Sequence, residues 1–145
     1  MPDPASAWET YGRSLHRAST ATKSLIGERM RRIGVHVGQN FLIEELARED
    51  GLTPGELARR IGVEVPSVTR AAQRMEASGL VERVPDRHDR RLVRITLTDR
   101  GRGLVGEVTR ILEEASEQSL AGLTPAERAE LIRLLDRVTT NLTHF

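Results

Sequence analysis

The sequence predicts a mainly α-helical chain with one small β-hairpin, and three observations predict it. Two consecutive helical patterns lie between Thr53 and Gly79, each closed by a glycine. Two strand-like stretches then face each other across an arginine-laden turn. Long segments with apolar stripes flank this block, over residues 5–33 and from about residue 98 to the C-terminus. At 145 residues the chain is expected to form one compact unit with a real core.

Helix α1 is expected over residues 5–33. Trp8, Tyr11, Leu15, Ala18, Thr22 and Leu25 recur at three- and four-residue steps, with Ile26, Met30 and Ile33 on a neighbouring stripe. Gly34 ends it. A helix of this kind is stable only when its stripe meets another surface, so core or dimer packing is expected for Trp8 and Tyr11. Helix α2 follows residues 36–39 and stops at Asp50-Gly51. Phe41, Leu42, Ile43 and Leu46 are expected inside it, and Glu44, Glu45 and Arg48 outside.

Helix α3, residues 53–61, opens on Thr53-Pro54-Gly55-Glu56, a capping box in which Thr53 and Glu56 satisfy each other's amides. Pro54 stands where its missing N–H costs nothing, and Gly62 stops the helix. Helix α4 is expected over residues 65–78, with Gly79 as its terminator. At 100° per residue Val68, Ala71, Ala72 and Met75 share the inner side. Pro66, Arg70, Gln73 and Arg74 lie opposite, flanked by Ser67 and Thr69. Hydroxyls, an amide and guanidiniums suit base edges and phosphate oxygens, although the same residues also suit a merely solvated face. Glu64 occupies the cap position, which glutamate fills poorly.

The period then changes. Residues 80–84 form strand β1 and residues 92–97 form strand β2, with Val93, Ile95 and Leu97 inward and Arg94 and Thr96 outward. Between them runs Pro85-Asp86-Arg87-His88-Asp89-Arg90-Arg91. Residues 83–102 hold seven arginines against three aspartates, a local excess of four in a chain of formal net charge +1. Helix, turn, helix and basic hairpin in this order make a winged helix-turn-helix, a good electrostatic footprint for a DNA duplex.

The motifs LTPGELARRIGV, GLVERVPD and ITLTDRG resemble those of the MarR family of bacterial transcription regulators, over most of the chain. The most specific match is Asp-x-Arg followed by Leu-Thr-x-x-Gly, here Asp89-Arg90-Arg91 and Leu97-Thr98-Asp99-Arg100-Gly101. The resemblance implies a homodimer that binds a pseudo-palindromic stretch of double-stranded DNA, as a repressor. It makes Arg91 the minor-groove arginine and Asp89 its holder, beside Arg87 and Arg90. It gives the α4 residues Pro66, Ser67, Thr69, Arg70, Gln73 and Arg74 major-groove or phosphate roles. It also implies an effector pocket for a small aromatic or acidic ligand, with His16, His36 and Phe41 as candidates.

Helix α5 is expected from Thr98 or Asp99 to about Leu120, with Leu104, Val108, Ile111 or Leu112, and Ala115 as its stripe. Thr124-Pro125-Ala126-Glu127 is a second capping box launching helix α6. There Leu131, Leu135, Val138, Leu142 and Phe145 step as a heptad-like seam suited to a partner helix. The expected division is a dimerisation helix over 1–34, a DNA-binding region over 35–101, and dimerisation helices over 102–145.

Other function classes find little support. The four histidines, His16, His36, His88 and His144, are scattered, and no catalytic motif or phosphate-cradling loop is present. No enzyme activity, metal or cofactor is expected. The absence of cysteine excludes disulfides and thiol redox sensing. No apolar run approaches membrane-spanning length and the N-terminus has no signal-peptide pattern, so a cytoplasmic location is expected. The competing reading is a winged-helix module for protein–protein assembly, which would have no need of arginine density on the wing.

Overall fold

The computed structural model describes residues 4–143. Phe145, the last position of the predicted seam, and His144 lie outside the described residues. Six helices and one hairpin follow in the expected order. Helix α1 comprises Pro4–Ala7, a π-helical stretch Trp8–Gly12, and Arg13–Arg31. After it come α2 (Gln39–Arg48), α3 (Pro54–Ile61), α4 (Val65–Ala77), β1 (Val81–Pro85), β2 (Val93–Leu97), α5 (Asp99–Ser119) and α6 (Pro125–Thr143).

The local signals act as the sequence predicts. Glu56 donates its amide to the Thr53 hydroxyl at 3.2 Å, and its carboxylate accepts the Thr53 amide at 2.9 Å. The same reciprocal pair joins Thr124 and Glu127 at 3.2 and 2.8 Å. Glu64 caps α4 without a side-chain hydrogen bond. Gly79 takes φ +77°, which lets Leu80 donate back to the Met75 carbonyl at 2.8 Å and turns the chain into β1.

One buried cluster holds the winged helix together. Leu42, Ile43 and Leu46 of α2 meet Leu57 of α3, Val68 and Met75 of α4, and Ile95 of β2. Met30 of α1 and Val108 and Ile111 of α5 belong to the same cluster, so the long helices are packed onto the DNA-binding region they flank. Strands β1 and β2 pair antiparallel from Val81 opposite Leu97 to Pro85 opposite Val93. A third edge was not anticipated: Ile95 donates to the Leu52 carbonyl at 2.8 Å and accepts from the Gly51 amide at 3.1 Å. That bridge ties the hairpin to the loop between α2 and α3.

Three inward or outward assignments need correction. Phe41 is 52% exposed, because three adjacent residues on a helix diverge by 100° each and cannot share one face with Leu42 and Ile43. Val93 is exposed, since it pairs with Pro85 at the end of the hairpin that projects beyond the body. Arg94 is half-buried and engaged by Asp86 rather than turned to solvent. Of the two packings expected for Trp8 and Tyr11, the core of the single chain is not the one they take: both are exposed with Leu15, while the neighbouring stripe of Ile26, Met30 and Ile33 packs inward.

Candidate nucleic-acid interface

The exposed face of α4 is unburdened by acid. Its one carboxylate, Glu76, is occupied by Arg83, which reaches it through Nε at 3.2 Å, Nη2 at 3.0 Å and its own amide at 3.3 Å. That pairing draws the Glu76 carboxyl below the usual carboxylate range. Pro66, Ser67, Arg70, Gln73 and Arg74 are exposed along the helix, and Thr69 is half-buried beside them. The Thr69 hydroxyl donates to the Val65 carbonyl at 3.2 Å. Among the described residues, neither Arg70 nor Arg74 has a carboxylate partner, so both guanidiniums remain available for phosphate or base.

The wing concentrates its charge at the tip. Arg83, Arg94 and Arg102 are paired with Glu76, Asp86 and Asp50. Arg100 donates to the Ser78 carbonyl at 2.8 Å and so closes the end of α4. Arg87 and Arg90 carry no carboxylate partner among the described residues. Arg91, whose side chain is 92% exposed, is held in a fork. Its Nε lies 3.1 Å from Asp89 Oδ1, its Nη2 lies 3.2 Å from Oδ2, and its amide donates to Oδ1 at 3.1 Å. The fork holds the Asp89 carboxyl below its ordinary value. Arg87, Arg90 and Arg91 thus cluster around one turn, while Arg83, Arg94, Arg100 and Arg102 are engaged along the body of the hairpin and its base.

Helix and wing meet in a crease. Thr69 of α4 and Arg91 and Leu92 of the wing line one hollow of about 340 Å³, floored by Ala72 and Ile95. On the other side of α4, Ser67, Arg70 and Arg74 border a groove of about 320 Å³ shared with Val37, Phe41 and Val63. Phe41 therefore lies beside α4. His16 lines a separate hollow with Trp8 and Arg17 near the start of α1. His36 is exposed, its backbone amide donating to Gln39 Oε1 at 3.1 Å. The three residues expected to share an effector pocket are not brought together within one chain. A further hollow, about 760 Å³, opens between α2 and α5 over Ile43, Val108 and Leu112, with Glu44, Glu113 and Arg48 at its edge.

Three residues matter more than the sequence suggested. Asp86, in the turn, is only 8% exposed. Its Oδ1 accepts the amides of His88 at 2.8 Å and Asp89 at 2.9 Å, and its Oδ2 accepts Arg94 Nε. These bonds hold its carboxyl far below the ordinary aspartate value. Arg94 continues inward, donating to the Gly51 carbonyl at 2.8 Å. Asp50 accepts the Leu97 amide at 3.0 Å and Arg102 at 2.9 Å. The Pro-Asp start of the turn is the one signal that could have marked Asp86, since an aspartate there accepts amides two and three residues on.

The Leu-Thr-x-x-Gly motif proves to be a joint. Leu97 is buried, the Thr98 hydroxyl accepts the Gly101 amide at 3.1 Å and donates to the Gly79 carbonyl at 2.6 Å. A methyl on Gly101 would fall 2.2 Å from the Leu80 carbonyl oxygen, so only glycine lets α5 start against the end of α4. Among the described residues no three metal-binding side chains converge, and no helix is long and apolar enough to cross a membrane.

Comparisons with known proteins agree with this geometry. A profile of the MarR family matches residues 34–92. A mutant of E. coli MarR complexed with operator DNA is 25% identical, with a TM-score of 0.84, covering 94% of this chain and 99% of that one. BpsR of Bordetella bronchiseptica, described for regulation of its DNA binding by 6-hydroxynicotinic acid, is 25% identical with a TM-score of 0.83, covering 91% and 94%. The transcriptional regulator SlyA shares the fold at 22% identity and a TM-score of 0.85, covering 92% and 94%.

Proposed function

We propose that this chain, a member of the MarR family, is a homodimeric, sequence-specific DNA-binding regulator that represses transcription. The observation that carries the reading is the Asp89 fork presenting Arg91 on the wing, across a crease from α4, whose one carboxylate is taken up by Arg83. In this reading α4 enters the major groove, and Ser67, Thr69, Arg70, Gln73 and Arg74 meet base edges and phosphates behind Pro66. Arg91 enters the adjacent minor groove, where it responds to groove width more than to base identity. Arg87 and Arg90 anchor the flanking phosphates.

Residues 35–101 bind DNA in this scheme, and residues 1–34 and 102–145 join two copies. The exposed apolar faces of α1 and α6 support that division, because Trp8 and Leu142 are mostly exposed and Leu131 and Leu135 are only partly covered within the chain. Two copies would set their recognition helices about 34 Å apart, one turn of duplex. A ligand that favours another spacing would release the operator. BpsR's response to 6-hydroxynicotinic acid supports a small-molecule effector here, and the hollow of about 760 Å³ between α2 and α5 is a site with room for one.

A salt-dependent gel shift on the chain's own upstream DNA tests the reading. Affinity is expected to fall steeply with salt, and Arg91→Ala to weaken binding across operator variants while reducing the salt slope by about 1. Full affinity in Arg91→Ala would defeat the wing assignment. Salt-independent association with DNA, or none, would favour a protein–protein assembly module instead.

A further inference from the structure

We propose that Asp86 and Arg94 are positioning residues of the wing, which hold its arginine tip at a set distance from α4 without touching the duplex. The inference rests on the DNA-binding reading above and concerns residues outside its contact set. A two-stranded hairpin is marginally stable alone. Here only Val81 of β1 is buried, and Arg83 ties the strand to Glu76 of α4, but the turn beyond Pro85 is out of reach of that pair. Something must fix the tip, and the bonds around Asp86 do so.

The connection can be followed atom by atom. The amides of His88 and Asp89 converge on Asp86 Oδ1, and Asp86 returns its own amide to the Leu92 carbonyl at 2.9 Å, which closes the turn that carries Arg87, Arg90 and Arg91. Arg94 Nε meets Asp86 Oδ2, and Arg94 Nη1 reaches the Gly51 carbonyl at 2.8 Å. The same Nη1 lies 3.9 Å from Glu56 Oε2, in the capping box that starts α3. Gly51 in turn donates to the Ile95 carbonyl at 3.1 Å. The tip is thus tied to the loop that precedes α3 by one planar guanidinium with two acceptors, close to the capping-box carboxylate, a geometry a lysine cannot reproduce.

The arrangement places the Asp89 fork downstream of this tie. The Asp89 amide is one of the two that Asp86 accepts, so the orientation of the fork depends on Asp86. A wing set at a fixed distance from α4 lets both grooves be engaged without ordering the tip at the moment of binding. Loss of the tie then costs affinity only through what the tip contributes.

A double-mutant cycle in the full-length protein tests this. Asp86→Asn keeps an oxygen for the two amides and loses the charge that holds Arg94. Against an operator duplex recovered by selection, it should weaken binding about tenfold in the wild-type background and less than about twofold in a background where Arg87, Arg90 and Arg91 are all replaced by alanine. The salt slope of Asp86→Asn should match that of the wild type, since no phosphate contact is removed. Arg94→Lys should reproduce the pattern, and hydrogen exchange at the His88 and Asp89 amides should quicken in both while the core amides stay protected. An equal fold-loss in both backgrounds would assign Asp86 to general stability and overturn the proposal. Wild-type affinity in Asp86→Asn would overturn it too. A wild-type protein that binds no duplex would overturn the DNA-binding reading and this role together, so the two failures are distinguishable.

Discussion

The winged helix and the helices at the two ends of the chain solve the problem of burying apolar surface in opposite ways. Leu57, Met75 and Ile95 are wholly buried and belong to one continuous cluster. Helix α6 has no buried residue at all, and Leu142 at its end is 64% exposed, as Trp8 of α1 is 70% exposed. Both regions are equally well capped: the Thr53–Glu56 and Thr124–Glu127 boxes have almost the same dimensions. Capping therefore decides where a helix starts, and tertiary cover decides whether it is stable. The body of the protein carries its own fold, with Met30 of α1 in its core, whereas the end helices leave Trp8, Leu131, Leu135 and Leu142 exposed, apolar groups suited to an association site.

Substitutions can sharpen or break this contrast. The largest effect is expected from Leu57→Ala, which should destabilise the body by about 2–5 kcal/mol through the cavity it leaves. Urea denaturation should show the same loss at low and high protein concentration. Leu135→Glu should leave the winged helix folded by circular dichroism and shift sedimentation towards the single chain, with DNA affinity falling as the second half-site is lost. A variant that still sedimented as a dimer would remove α6 from the interface. The two caps offer a matched pair. Thr53→Ala should cost on the order of 1 kcal/mol of concentration-independent stability. Thr124→Ala should instead make the thermal midpoint more sensitive to protein concentration. The smallest effect is expected from Arg128→Ala, which removes a half-buried guanidinium from Glu117 at 3.2 Å and from the Leu120 carbonyl at 3.3 Å and should change stability by about 1 kcal/mol or less. A larger change would mean that this pair, rather than a second copy, fixes the position of α6.

What was legible in the sequence was what is local. Both capping boxes, the glycine stops at Gly62 and Gly79, the outward polar face of α4 and the hairpin all follow from the order of neighbouring residues. The Asp89–Arg91 fork also lies within three residues, and the family resemblance pointed to it. What the sequence concealed depends on segments far apart in the chain. Leu52 joins the hairpin as a single bridging residue, too short to show any period. Arg94 stands at an outward strand position, yet Asp86 and Gly51 reclaim it, a partnership no periodicity can announce. The π-helical stretch at Trp8–Gly12 interrupts a stripe that reads as continuous helix. His16, His36 and Phe41, grouped by resemblance, lie apart in one chain.

The central claim is that two copies present paired helices and arginine-tipped wings to one duplex. Selection of bound duplexes from a random pool, followed by sedimentation of the complex on the winning sequence, tests it most directly. The account predicts a two-fold symmetric site whose half-sites lie about one helical turn apart, with two chains bound to each duplex. An asymmetric site occupied by one chain, or a pool that never enriches, would contradict it.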